Sequence, residues 1–215
     1  MTEVIKQSKS EKFLIGLLIL LIIIIFYIFV ILPNKCLFVK NYDPVKLNFS
    51  KPENISILNV GCGNVIIELY PDISPKAVER FKMLISAGEY DNVAFHRVVK
   101  DVLVQAGDLE FGKKNNLNYS YIGSGKSGYG TLNSEFSKKF IFEKGSVAMV
   151  KTSKKNTEDS QFFILLNDSP AFNERYTPIG KVLYGLEVLK KIKNNDKSDY
   201  VLRPDFINSF QLLIK

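Results

Sequence analysis

Phe95-His96-Arg97-Val98-Val99 and, close behind it, Val104-Gln105-Ala106-Gly107-Asp108 set one arginine and one glutamine inside two short apolar runs. Such runs read as strands, because β-branched and aromatic side chains suit a pleated, half-buried surface. Arginine rarely sits between Phe and Val on a strand without a task. A structural ion pair is one explanation and a binding or catalytic role is the other; Gln105 and Gln161 are open to a similar choice, as satisfied core amides. The same texture returns downstream in Ser160-Gln161-Phe162-Phe163-Ile164 and in Tyr176-Thr177-Pro178-Ile179-Gly180-Lys181-Val182. Working outward, strands are expected at 95–99, 102–105, 146–150, 161–166, 177–183 and 207–214. Upstream, 57–60 and 65–70 form a hairpin about Gly61-Cys62-Gly63-Asn64. Ser74-Pro75 reads as an N-cap with proline at the first helical position, and Val78, Phe81, Leu84 and Ile85 follow at helical spacing until Gly88. A second helix is expected from Leu186 to about Lys193. Eight short strands with only two helices predict a mainly β fold: a closed eight-stranded antiparallel β-barrel capped by two α-helices.

Composition narrows the chemistry. The chain has 215 residues, room for one ordinary domain and an appendage. Its formal charge is +7, and residues 1–12, with three Lys and two Glu, account for one of those charges, leaving +6 on the rest. The lysines are scattered, with pairs such as Lys113-Lys114 and Lys154-Lys155 but no long stripe, so a solvated surface is expected and a nucleic-acid partner is not. Two cysteines and one histidine are too few for a structural zinc site, and no metal is expected. Cys36 lies in the linker and Cys62 in the hairpin turn, so no disulfide internal to the domain is available.

Gly123-Ser124-Gly125-Lys126-Ser127-Gly128 fits the dinucleotide pattern GxGxxG, and Gly125-Lys126-Ser127 looks like the end of a P-loop. Both motifs need a helix to begin here so that its amides meet phosphate. Gly128 and Gly130 would break such a helix, and Ser120 stands where a P-loop needs its first glycine. A flexible surface loop is expected instead.

Taken in order, the 95–99 strand, the Val104–Asp108 segment, the Gly123–Gly130 loop, Glu135-Phe136 and the 160–164 strand resemble the cyclophilin family. The likeness runs over about 56–215, and 176–181 is more similar to bacterial members. The resemblance implies a cyclophilin-like fold and peptidyl-prolyl cis/trans isomerase activity on X-Pro bonds of client proteins. No cofactor is implied, proline-containing polypeptides are the implied partners, and a monomer is expected. Arg97 matches the catalytic arginine and Gln105 the glutamine that binds substrate backbone beside it. Leu103, Phe163 and Phe172 match walls of the proline pocket. Gln161 and Val150 match positions near the preceding substrate residue, and Tyr176 a position that is His in many relatives. His96 matches a structural histidine. The chemistry suits these residue types. Rotation about X-Pro crosses about 18–20 kcal/mol because the amide has partial double-bond character. In the twisted state the nitrogen becomes pyramidal and basic, and a guanidinium offering donors stabilises it more than the planar ground state. Four departures bear on the site. Lys100-Asp101-Val102 replaces the usual Pro-Gly-Phe, so Val102 removes an aromatic wall, and Phe172 replaces a Leu with a ring able to refill the volume. Lys151-Thr152 replaces Asn-Ala on the rim, and Ala171 stands where many members carry a Trp tied to cyclosporin binding. The competing expectation is a catalytically weak, membrane-tethered module that binds proline peptides without turning them over.

Ahead of this domain, residues 1–12 form a short basic tail, 13–32 a transmembrane helix and 33–55 a linker. Phe13–Leu32 is twenty uncharged residues with a single glycine, Gly16. At about 1.5 Å per residue this spans about 30 Å, the hydrocarbon thickness of a bilayer. A cleaved signal has a shorter apolar region and a small-residue cleavage site, which Val30-Ile31-Leu32-Pro33-Asn34 does not offer. A signal-anchor is therefore expected, contacting lipid through 13–32. Lys6, Lys9 and Lys12 ahead of the span favour a single-pass protein with its domain on the outer, periplasmic or luminal side. Full-length protein is expected to fractionate with membranes, to resist carbonate extraction and to keep its N-terminus. A soluble mature form beginning near residue 34 would contradict this.

Overall fold

The computed structural model describes residues 8–31 and 34–213. The first seven residues of the tail, Leu32 of the expected span, Pro33 of the linker, and residues 214–215 lie outside the described residues. The chain forms two compact units, one ending at Phe38 and the other beginning at Val39. The first contains helix α1, Lys9–Phe26, which continues as a π-helical turn over Tyr27–Ile31. It starts four residues before the apolar run because Ser8 and Glu11 form a capping box: Glu11 N–H donates to Ser8 Oγ at 3.2 Å and Ser8 N–H to the Glu11 carboxylate at 2.8 Å. Lys9–Ile31 is long and apolar enough to cross a membrane, and none of α1 is buried. Both cysteines, Cys36 and Cys62, are disulfide-bonded, which leaves neither as a free thiol and which a reading of the hairpin turn alone does not anticipate.

The second unit is built on one curled, eight-stranded antiparallel sheet. Its strands are β1 Ile55–Val60, β2 Gly63–Leu69, β3 Arg97–Val99, β4 Leu103–Ala106, β5 Ser146–Met149, β6 Phe162–Leu165, β7 Pro178–Tyr184 and β8 Ile207–Leu212. Their order is β3-β4-β6-β5-β7-β2-β1-β8. The expected closed ladder does not form, since β3 and β8 end the sheet unpaired with each other. The cause is that segment 195–201 takes the free edge of β3. Asn195 N–H donates to Val98 O at 2.9 Å, its side-chain oxygen accepts from Val98 N–H at 2.7 Å, and Val201 N–H donates to His96 O at 2.9 Å. An isolated bridge between Ala94 and Phe206 crosses the remaining gap. The second helix is also shorter than expected. After α3, Leu186–Leu189, the bonds of Lys191 and Ile192 reach back only three residues, which tightens and ends the helix before the chain turns to β3. The segment from Val39 to Asn54 lies against β2 and β7: Asn64 N–H donates to Asn41 Oδ1 at 2.9 Å, and Tyr42 meets Tyr184 at 5.1 Å between ring centroids.

Helix α2, Pro75–Ser86, buries Ala77, Val78, Phe81, Leu84 and Ile85 against the concave face. Phe81 packs edge-on to Phe162 and Phe210, at 5.2 and 5.5 Å, beside Tyr90 at 5.2 Å. Strand alternation divides the apolar residues between two clusters. Phe162 and Ile164 enter the main core under α2, whereas Phe163 and Leu165 join Leu103, Phe140, Phe142 and Ala148 on the opposite face. The cap of α2 differs from the expectation. Ser74 occupies the N-cap position but gives its hydroxyl to Pro178 O, and no side-chain cap bond comes from it. Glu135 supplies the cap instead, its carboxylate accepting from Lys76 N–H at 3.2 Å and Ala77 N–H at 2.9 Å. A carboxylate there satisfies open amides and meets the positive end of the helix dipole. Glu135→Ala is expected to lower unfolding free energy by about 1–2 kcal/mol in urea titration, with Glu135→Gln recovering part of the loss.

Candidate active site

Register assembles the site. Arg97 on β3 pairs with Gln105 on β4, Gln105 with Phe163 on β6, and Phe163 with Ala148 on β5, so these four residues form one row across four strands. Residues directly opposite one another share a face, which places guanidinium, amide and phenyl ring side by side. Arg97 Nη1 donates to Gln105 Oε1 at 3.4 Å. Gln105 Nε2 donates to Gln161 Oε1 at 3.1 Å and lies 3.3 Å from His96 Nε2, which accepts in the neutral ring. Gln161 Nε2 in turn donates to the carbonyls of Gly123 and Gly125, at 2.9 and 3.2 Å. Each amide is thereby fixed in orientation, and most of the five N–H donors of the half-buried Arg97 stay available. Among the described residues Arg97 makes no ion pair, and Gln105 is its side-chain hydrogen-bond partner.

The apolar side of the site is aromatic. Phe163 meets Phe172 edge-on at 5.5 Å and Tyr176 at 5.1 Å, and Phe172 and Tyr176 are 5.0 Å apart. Leu103 is buried in the same cluster, with Val150 and Phe172 packed against it. Val102 is not part of this wall. It is 38% exposed on the β3–β4 turn, where Asp101 takes a left-handed conformation at φ 58°. Lys151 sits on the rim with its ammonium 5.4 Å above the Tyr176 ring. Beyond it, a groove of about 300 Å³ opens between Gly123, Lys126, Val150, Lys151, Thr157 and Gln161.

The glycine-rich loop carries no helix, as expected, but it is pinned rather than loose. The Asp108 carboxylate accepts from the backbone N–H groups of Glu110, Phe111, Gly123 and Gly125, at 2.6–3.2 Å. A Cβ at Gly125 would fall 2.0 Å from Asp108 Oδ1, so only glycine fits. Gly107 meets a similar limit: at φ +94° its Cβ would lie 2.6 Å from Ser160 O. The loop's far end is held by Asp159, which is ion-paired to Arg80 at 3.1 Å and accepts from Ser127 N–H at 2.9 Å. Asp108, Asp159 and Arg80 thus support the site indirectly, and reading motifs for reactive groups passes over them. The available signal was Gly-Asp followed by a loop needing a carboxylate to gather its amides. His96 is buried beneath this network, and burial lowers its pKa to about 4 despite the opposing charge of Asp108.

Comparison with known proteins identifies the family. A family model described as "Cyclophilin type peptidyl-prolyl cis-trans isomerase/CLD" matches residues 55–211. A probable peptidyl-prolyl cis-trans isomerase of Brucella suis is 40% identical over 159 residues, covering 73% of this chain and 81% of the relative. The isomerase cypE of Dictyostelium discoideum is 31% identical over 153 residues, covering 67% of this chain and 90% of its own. Among solved structures, a Cryptosporidium parvum cyclophilin type isomerase, determined in the presence of the dipeptide Ala-Pro, superposes with a TM-score of 0.65. It is 28% identical and covers 75% of this chain and 99% of its own. With the match spanning nearly the whole sheet and including the Arg97–Gln105–Phe163 row, the chain belongs to the cyclophilin-type peptidyl-prolyl cis-trans isomerase family.

Proposed function

We propose that this protein accelerates rotation about X-Pro bonds of polypeptide clients at a membrane surface, with Arg97 as the catalytic residue. The observation that carries the reading is the Arg97–Gln105 pair, which abuts the ring of Phe163 through strand register. The proline ring rests against Leu103, Phe163, Phe172 and Tyr176, and that apolar contact holds it while the preceding carbonyl swings. Arg97 offers N–H donors to the prolyl nitrogen as it becomes pyramidal, an interaction stronger in the twisted state than in the planar one. Gln105 holds substrate backbone, and Gln161, Val150 and Lys151 receive the residues before proline. The Ala-Pro dipeptide with the Cryptosporidium relative supports a proline-containing ligand. We take the protein as a monomer, with the whole site on one chain.

The anchor is residues 13–32, with the domain on the outer face. Support comes from the span Lys9–Ile31 and from the bonded state of both cysteines, since disulfides persist in oxidising compartments. One observation favours the second reading, a module that binds without efficient turnover: Val102 stands outside the aromatic wall, 38% exposed.

Variants at Arg97 separate the two readings. Arg97→Ala is expected to lower kcat/KM by about 10²–10³, or 2.7–4 kcal/mol, with little change in peptide affinity or melting temperature. Arg97→Lys should recover little, because an ammonium cannot reproduce the planar fork of donors. A stable Arg97→Ala protein with near-normal turnover would refute the catalytic assignment.

The pH profile tests the absence of a histidine base. Because His96 is neutral in the folded protein down to about pH 4, turnover should stay flat between about pH 8 and 5.5. An inflection near 6.5 would contradict it. Stability should behave differently. Below about pH 6.5 the unfolded chain binds a proton that the buried ring refuses until about pH 4, so unfolding free energy should fall as pH drops through that window. His96→Gln should flatten the decline.

A further inference from the structure

The rim of the site is basic in a way that the scattered charges elsewhere are not. Lys151 stands between two openings. One is the 300 Å³ groove, which Lys126 also lines. The other, of about 310 Å³, is lined by Lys151, Lys155, Phe172, Arg175 and Tyr176. The first groove is continuous with the polar row through Gln161, and the second with the aromatic wall through Phe172 and Tyr176. A polypeptide with its proline on the aromatic wall and its preceding residue at Gln161 and Val150 therefore passes the next residue back into the groove between Lys126 and Lys151. Lys151 is held in place, its ammonium donating to Thr152 O at 3.2 Å while lying over Tyr176.

Nearby carboxylates only partly offset these charges. Asp159 lines the first groove but is 5% exposed and committed to Arg80. Glu158 is buried and accepts from the Thr177 hydroxyl and Thr157 N–H. That leaves Glu110, which accepts from Lys126 N–H at 3.3 Å, and Glu174 in the second groove. Among the described residues none of Lys126, Lys151, Lys155 and Arg175 forms an ion pair. We propose that these cations select client segments with an acidic side chain two residues before the proline, Lys126 and Lys151 being the specificity-determining residues. The proposal rests on the isomerase reading for the placement of the proline. Attraction between solvated charges is modest and salt-sensitive, so a preference of about three- to tenfold is expected at low ionic strength.

The test uses full-length protein in an uncharged detergent and three blocked tetrapeptides, Glu-Ala-Pro-Phe, Ala-Ala-Pro-Phe and Lys-Ala-Pro-Phe. NMR exchange gives both the isomerisation rate and the affinity of each. The order Glu, Ala, Lys is expected at about 20 mM ionic strength, shrinking towards equality at about 500 mM. The double variant Lys126→Glu with Lys151→Glu should invert the order of the Glu and Lys peptides. Equal values for those two peptides at low salt, or a preference unchanged by charge reversal, would overturn the proposal. The Ala peptide decides the isomerase reading separately. If it is bound and not turned over while affinities still follow charge, that reading falls and the charge selection stands.

Discussion

Strand β4 is buried on both faces, and its register with β3 and β6 is the constraint on which the site depends. Because side chains alternate across a strand, a slip of one residue would send Gln105 to the face occupied by Val104 and Ala106. It would also separate Arg97 from Phe163. Such a slip would bury an amide in the main core and turn aliphatic groups towards Arg97, so the hydrophobic pattern itself defends the alignment. The geometry of the proposed site is therefore a by-product of core packing. The polar row needs no scaffold of its own beyond the hydrogen bonds that orient Gln105 and Gln161.

Those bonds end at a loop, and the loop depends on Asp108. One buried carboxylate gathers four backbone amides from two segments, a charge-assisted arrangement that fixes glycine-rich backbone which would otherwise wander. The carbonyls of Gly123 and Gly125 then stand ready for Gln161. A sequence pattern that mimics a phosphate cradle thus serves the reverse purpose: its amides face a carboxylate of the same chain rather than a ligand.

Much of this was legible in the residues. The strands around Arg97, Gln105 and Phe163 announce themselves by β-branched and aromatic runs, and α2 by its apolar spacing after Ser74-Pro75. What could not be read was whatever rests on partners distant in sequence. Nothing near Ser74 shows that its hydroxyl will go to Pro178 or that Glu135 will cap the helix. Nothing near Val98 shows that Asn195 will occupy the strand edge and keep the sheet from closing. The aromatic trio was only half legible. Phe172 could be expected to fill space, but its edge-on contact with Phe163 depends on how the Pro170–Phe172 turn is seated.

The pairing of β1 with β8 carries a consequence for how the chain is made. During vectorial synthesis β1 and β2 emerge together and can zip as a hairpin, but the partner for the other edge of β1 arrives some 150 residues later. Until then that edge presents a row of unpaired backbone groups, a template for pairing with any neighbouring chain. Asn59 on β1 eventually bonds Asn208 across this seam. A nascent chain crowded against others would be most exposed to misassembly along β1, and the arrival of β8 would end that exposure.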